Sequence, residues 1–234
     1  MNPTDKQTEF FLRREGDAWF ERNRQVLQAK GSFFECDLIT SELSPFRAQI
    51  DDILEIGCGD GHKAQVLSRF FDARAAGIDP SQKAVDHGRE RLEAQGELKV
   101  KLQVGTADRL PWPDASFDLV YFGFCLYLVG RNELRAAIAD ASRVLRPGGF
   151  LVILDFDPAQ PHRREYEHCP GLFSYKLDYA KLFTVGGEYH LFGKRSFSHS
   201  GHHFSSDPNE RVAMSFLYRE TDPYPLVSPT KVAP

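Results

Sequence analysis

No apolar run in this 234-residue chain approaches the ~20 residues that a membrane span requires, so a membrane partner is not expected. Long basic tracts are also missing. Arg163-Arg164 and Lys194-Arg195 are only pairs and the formal net charge is -4, so the electrostatic footprint of a nucleic-acid binder is absent. The four cysteines, Cys36, Cys58, Cys125 and Cys169, are far apart and form no C-x-x-C pair. In an α/β chain of this size that spacing reads as buried thiols in a reducing compartment, not as a disulfide framework. The N-terminus carries charge and lacks a signal-peptide core, so a cytoplasmic location is the expectation. There is no internal repeat and no low-complexity segment. What remains is ordinary globular composition, 41% hydrophobic and 26% charged, enough for one substantial core.

The most informative stretch is Asp51-Asp52-Ile53-Leu54-Glu55-Ile56-Gly57-Cys58-Gly59-Asp60-Gly61-His62. A short apolar run breaks into three glycines at alternate positions, and a helical pattern follows. This predicts a strand, a tight turn and a helix N-terminus, where nucleotide-like ligands bind. Alternation then continues. Strands are expected at 53–56, 74–79, 100–104, 117–122 and 150–156, with helices between them. Ser81 suits the N-cap of the helix after strand two. Leu134, Ala137, Ile138, Ala141, Val144 and Leu145 form a helical stripe that Pro147-Gly148-Gly149 closes. Two last strands, 189–197 and 211–219, flank a polar loop with His199, His202 and His203, and are expected to form an antiparallel pair. A short helix is expected over 177–185, and a solvated helix or loop over the polar stretch 162–168. The fold class is α/β: a doubly wound, Rossmann-like, seven-stranded mixed sheet with helices on both faces and an antiparallel C-terminal hairpin. Residues 1–50 form a helical segment before this domain (51–234), and Trp19 and Phe20 make it a candidate lid over a cofactor.

Glu55, Asp79 and Asp108 fall at or just beyond the carboxyl ends of strands one to three, the edge where open α/β sheets bind ligands. Asp79 lies 18 residues past Gly61, a suitable distance for an acid that accepts from ribose hydroxyls. A dinucleotide site would prefer Gly-x-Gly-x-x-Gly, and the acids around the turn disfavour a pyrophosphate. They favour a ligand bearing a sulfonium and an α-ammonium.

Five segments, in order, resemble the class I S-adenosylmethionine-dependent methyltransferases: Leu54–Gly61, Gly77–Ser81, Gly105–Trp112, Ser116–Val120 and Arg143–Gly149. The resemblance covers about residues 52–155. It implies S-adenosyl-L-methionine as cofactor, with Glu55, Gly57, Gly59 and Gly61 around its methionine and sugar and Asp79 on the ribose. Asp108 would take the adenine amino group, with Arg109 beside the ring, and Phe124 would border the methionine moiety. The resemblance further implies methyl transfer. The Asn/Asp-Pro-Pro-aromatic tetrad of amino-directed DNA methyltransferases, the glutamate pair of protein arginine methyltransferases and the metal set of the catechol type are not found. A small-molecule acceptor is therefore expected, with O- or N-methylation favoured, no nucleic acid and no metal. Tyr127, Asp157, His162 and His168 are the candidates for a general base. Two readings stand beside this one: another transferase using the same cofactor, and a cofactor-binding regulator or partner without turnover. The acceptor and the oligomeric state are open.

Overall fold

The computed structural model describes residues 7–29 and 33–227. The expected N-terminal segment and C-terminal tail extend beyond those limits. Among the described residues no helix is long and apolar enough to cross a membrane.

Seven strands form the central sheet: β1 (Asp52–Ile56), β2 (Arg74–Asp79), β3 (Val100–Val104), β4 (Phe117–Gly123), β5 (Leu145–Phe156), β8 (Tyr189–Ser198) and β9 (Arg211–Arg219). Their order is β3-β2-β1-β4-β5-β9-β8. The first five run parallel, and β9 pairs antiparallel with both β5 and β8. The reversal between β1 and β4 creates the switch point at which such sheets bind ligands.

Both faces are covered, which is why the central strands are apolar at nearly every position. On β5, Val152 and Leu154 face α3 (Phe34–Leu43), α4 (His62–Phe71) and α5 (Gln82–Ala94). Leu151 and Ile153 face α6 (Leu134–Val144) and α7 (Ala180–Thr184). At the amino edge of the sheet, Arg146 pairs with Asp118 at 2.7 Å and with Asp52 at 3.1 Å. Asp118 also accepts the amides of Asp51 and Asp52. This lattice joins three strands on the side away from the switch point, so it serves the fold rather than the site.

Three segments differ from expectation. Helix α6 stops at Val144, before Pro147-Gly148-Gly149, because Leu145 already pairs with Phe117 through a register shift. The polar stretch 162–168 contains a strand: β6 (His162–Glu165) pairs antiparallel with β7 (Phe173–Lys176) in a separate two-stranded sheet. The short helix is confined to Ala180–Thr184. The described part of the N-terminal segment is largely helical. Here α1 (Gln7–Phe10) passes through a π-helical turn (Phe11–Glu15) into α2 (Gly16–Ala29). Such turns are often found at functional sites.

Candidate active site

Beyond β1 the chain turns through Gly57, Gly59 and Gly61, all with positive φ. A Cβ at Gly57 would lie 2.6 Å from that of Cys125, and one at Gly61 would lie 2.6 Å from Leu102. A Cβ at Gly59 would meet nothing within 4 Å. Two of the glycines therefore allow packing, and the third leaves open space at the centre of the turn. At the end of β2, Asp79 accepts the Gly59 amide at 2.8 Å and the Ser81 amide at 2.9 Å, one on each oxygen. Burial raises the Asp79 carboxyl against the pull of these two amides. Ser81 caps α5 through the Ala84 amide, as its sequence position suggests.

These turns bound a cavity of about 170 Å³. Gly57, Cys58, Gly59 and Asp60 form one side; Ile78, Asp79 and Pro80 continue it, and Gly105, Thr106 and Ala107 complete it. Phe124, Tyr127, Leu128 and Val129 stand opposite, after β4. Thr8, Phe11, Gly16, Trp19 and Phe33 close it from the N-terminal helices. The helices dock by specific contacts. Asp17 accepts from the Ser81 hydroxyl and the Lys83 amide at the start of α5. Gln7 bonds Leu128 and both backbone groups of Phe173. Glu15 accepts from Arg22 and Tyr166. Gly16 lies against the β2–α5 turn so closely that a Cβ would come within 3.0 Å of the Ser81 nitrogen.

The expected site residues fall into two groups. Gly57, Gly59, Asp79, Phe124 and Tyr127 line the cavity. Glu55 does not: it is wholly buried beneath the turn, 3.3 Å from the ammonium of Lys63, which itself reaches the cavity wall. Gly61 packs on Leu102 behind the lining. Asp108 follows the lining residues Thr106 and Ala107, and its buried Oδ1 has no hydrogen-bond partner. Arg109 is exposed.

Among the base candidates, Asp157 is held by Lys194 and Ser196 at the far side of β5. Burial works to raise its carboxyl, and these two partners outweigh it, so it stays below the usual range. His162 lies on β6 facing a separate shallow depression, and His168 is exposed against Tyr166. Only Tyr127 of the four reaches the cavity. Burial, then the nearby Asp155, push its hydroxyl far up, so it stays protonated and can donate but not abstract a proton.

Sequence reasoning missed two features. His62 lines the cavity with its Nδ1 2.8 Å from Asp60 Oδ1, a pairing that fixes the ring. Its signal was the D-x-H spacing across the turn. The His-rich loop is not solvated throughout: His199 stacks on Phe124 and Phe156, and His202 on Phe34 at 4.0 Å. Phe124 itself has φ 66°, a left-handed backbone that is costly for an aromatic residue.

Asp155, at the end of β5, accepts the Tyr127 and Phe156 amides. Burial lifts its carboxyl from 3.8 to about 7, against those amides. A raised folded-state pKa gives stability that is complete below pH ~4 and is lost as pH rises through about 7. The Asp155→Asn variant should therefore lose part of the fall in Tm between pH 5 and pH 8. One kcal/mol corresponds to about 2–4 °C for a chain of this size. An unchanged pH profile would reject Asp155 as the titrating group.

The model of the methyltransferase domain family matches residues 53–149, the span holding all these turns. That span, about two-fifths of the chain, is a methyltransferase domain. It is 38% identical over 113 residues to the 27-O-demethylrifamycin SV methyltransferase of Amycolatopsis mediterranei, covering 48% of this chain and 40% of that one. It is 36% identical over 122 residues to a ubiquinone/menaquinone biosynthesis C-methyltransferase of Dinoroseobacter shibae, covering 51% and 47%. These matches span less than half of either relative. The structure of the 1,6-didemethyltoxoflavin-N1-methyltransferase of Burkholderia thailandensis, with S-adenosylhomocysteine bound, shares the fold at a TM-score of 0.69. Its identity is 13%, over 89% of this chain and 87% of that one. The three names specify an oxygen, a carbon and a nitrogen acceptor, so the shared domain and fold leave the acceptor atom open.

Proposed function

We propose that this methyltransferase moves a methyl group from S-adenosyl-L-methionine to an oxygen or nitrogen of a small-molecule acceptor. The observation that carries the reading is the continuity of one cavity from Asp79 and Thr106-Ala107, past the open turn at Gly59, to the aromatic wall of Phe124 and Tyr127. The donor's groups fit the residues present. Each Asp79 oxygen already holds one amide and retains a lone pair for a ribose hydroxyl. The orphaned Asp108 oxygen is suited to the adenine amino group. When bound, the cofactor supplies an electrophilic methyl on a sulfonium.

This chain's own residues then have three tasks. The glycine turn and Asp79 hold the donor still, and alignment alone can supply effective molarities of ~10⁵–10⁸ M. Phe11, Trp19 and Phe124 exclude water from the transfer. Tyr127 donates a hydrogen bond, and where the acceptor must shed a proton, His62 with Asp60 behind it is the imidazole that lines the cavity to receive it.

Turnover of S-adenosylmethionine to S-adenosylhomocysteine in the presence of a broad metabolite extract tests the reading. Tight cofactor binding without any product would favour the regulator instead. The N-terminal segment acts here as the lid. Gly16→Ala should weaken S-adenosylhomocysteine binding by about tenfold and cost the loaded protein more Tm than the apo protein, because the added methyl meets backbone of Phe11, Ser81 and Pro80 and must push the helix off the docking turn. A large loss of apo Tm with unchanged affinity would make the segment structural only.

A further inference from the structure

The β6–β7 hairpin has its polarity reversed. On β7 the buried side chains are Ser174 and Lys176, 9% and 8% exposed, whereas Phe173 and Tyr175 are only half-buried. Register sets His162 opposite Lys176 and Arg164 opposite Ser174. Directly opposed residues share a face of the ribbon, so three basic side chains and a hydroxyl are grouped together.

The group lacks an anion. Lys176 Nζ lies 3.7 Å from the centroid of the Phe156 ring and forms no hydrogen bond or ion pair with any described residue. His162 Nε2 is buried and unpartnered. Among the described residues the Arg164 guanidinium bonds only the neutral side chain of Asn209. Among the nearby acids, Asp155 has its oxygens on backbone amides and Glu210 is exposed. A ring face contributes ~0.5–2 kcal/mol to a cation, less than its lost hydration. Burial and the Arg164 charge accordingly lower the Lys176 amine. As a purely structural residue, Lys176 is a poor choice.

Its location suggests a use. The Phe156 ring lies 5.0 Å from Phe124 and 5.1 Å from Tyr127, both of which line the cavity. The cation therefore stands one ring beyond the wall against which an acceptor would lie. We propose that Lys176, with Arg164 on the same hairpin face, is an anion subsite beyond that wall that holds the carboxylate of the methyl acceptor. The acceptor is then a small organic acid, its nucleophile toward the glycine turn and its carboxylate toward β7. This inference rests on the methyl-transfer reading above.

Thermal melting and calorimetry on the S-adenosylhomocysteine-loaded protein test it, with benzoate, benzamide and inorganic phosphate as probes. Benzoate should raise the Tm of the native protein, and the neutral amide and phosphate should not. In Lys176→Met, benzoate affinity should fall on the order of 10–100-fold, the effect of removing one partner of a desolvated charge pair. Its S-adenosylhomocysteine affinity should be unchanged, and its apo Tm should rise. Lys176→Arg should retain the benzoate response. The proposal is overturned if benzoate and benzamide behave alike, if Lys176→Met responds to benzoate as the native protein does, or if phosphate alone binds. Failure of S-adenosylhomocysteine to raise the Tm would instead sink the methyl-transfer reading, and the benzoate comparison would still decide the subsite.

Discussion

Asp79→Ala is expected to weaken S-adenosylhomocysteine binding on the order of 10²-fold. A hydrogen bond to a charged group is worth about 1.5–3 kcal/mol, and a ribose offers this carboxylate two hydroxyls. The variant has a second cost. The Gly59 and Ser81 amides both rely on Asp79, so its removal leaves two donors at the turns without their acceptor. The apo protein should therefore melt lower as well, and Asp79→Asn should lose less on both measures. Calorimetry with the two variants separates the effects. Unchanged affinity in Asp79→Ala would refute the ribose assignment.

Lys63→Met should be the most destabilising single change. Lys63 is the cation that Glu55 meets under the turn, at 3.3 Å, with Glu35 at 4.0 Å and the Tyr121 ring beneath its ammonium. Burial opposes its charge, but Tyr121, Glu55 and Glu35 together keep it firmly protonated. Burial lifts the Glu55 carboxyl to about 7 even with Lys63 pulling it down. Removing the cation leaves a buried acid uncompensated, which typically costs about 3–5 kcal/mol. The sign with pH follows. Without Lys63 the folded-state pKa of Glu55 rises further above its unfolded value, so more stability is lost as pH rises. Urea unfolding should show a larger deficit at pH 8.5 than at pH 5.5, and Glu55→Gln in the same chain should restore part of it. Equal deficits at both pH values would rule out the ion pair as the cause.

The parallel half of the fold was legible because two periods alternate cleanly there. Strands buried on both faces become unbroken apolar runs, and helices such as α6 keep one apolar stripe. Strands β2 and β3 and the last strand, β9, match the expected spans residue for residue. The β6–β7 hairpin was not legible. His162-Arg163-Arg164-Glu165 carries no apolar alternation, because its partner strand buries Ser174 and Lys176. The start of β5 was hidden by Pro147-Gly148-Gly149, which usually marks a break but here lies inside a strand with shifted register.

The site divides in the same way. Residues placed by the backbone turn itself, Gly57, Gly59 and Asp79, could be located from spacing alone. Residues whose position depends on tertiary packing could not. His162 and His168 follow strand five closely in sequence, but the hairpin carries them away from the cavity. His199 is remote in sequence, but the β8–β9 loop returns it to Phe124. Glu55 sits in the motif, but its alternation on β1 directs it beneath the turn rather than into the cavity.

The three glycines of the turn look interchangeable in sequence, and their surroundings give each a different tolerance for change. Gly57 and Gly61 have neighbours where a side chain would begin, so even alanine is excluded there on volume. Gly59 is limited by backbone conformation alone, at φ 54° with empty space around it. Asparagine or aspartate, which enter the left-handed region most readily, are the side chains that position can accept without disturbing the fold. Natural and engineered variation in this motif should thus concentrate at its middle glycine. Whatever enters there projects into the donor cavity, so the one position that is lenient for folding is the one that trades directly against cofactor occupancy.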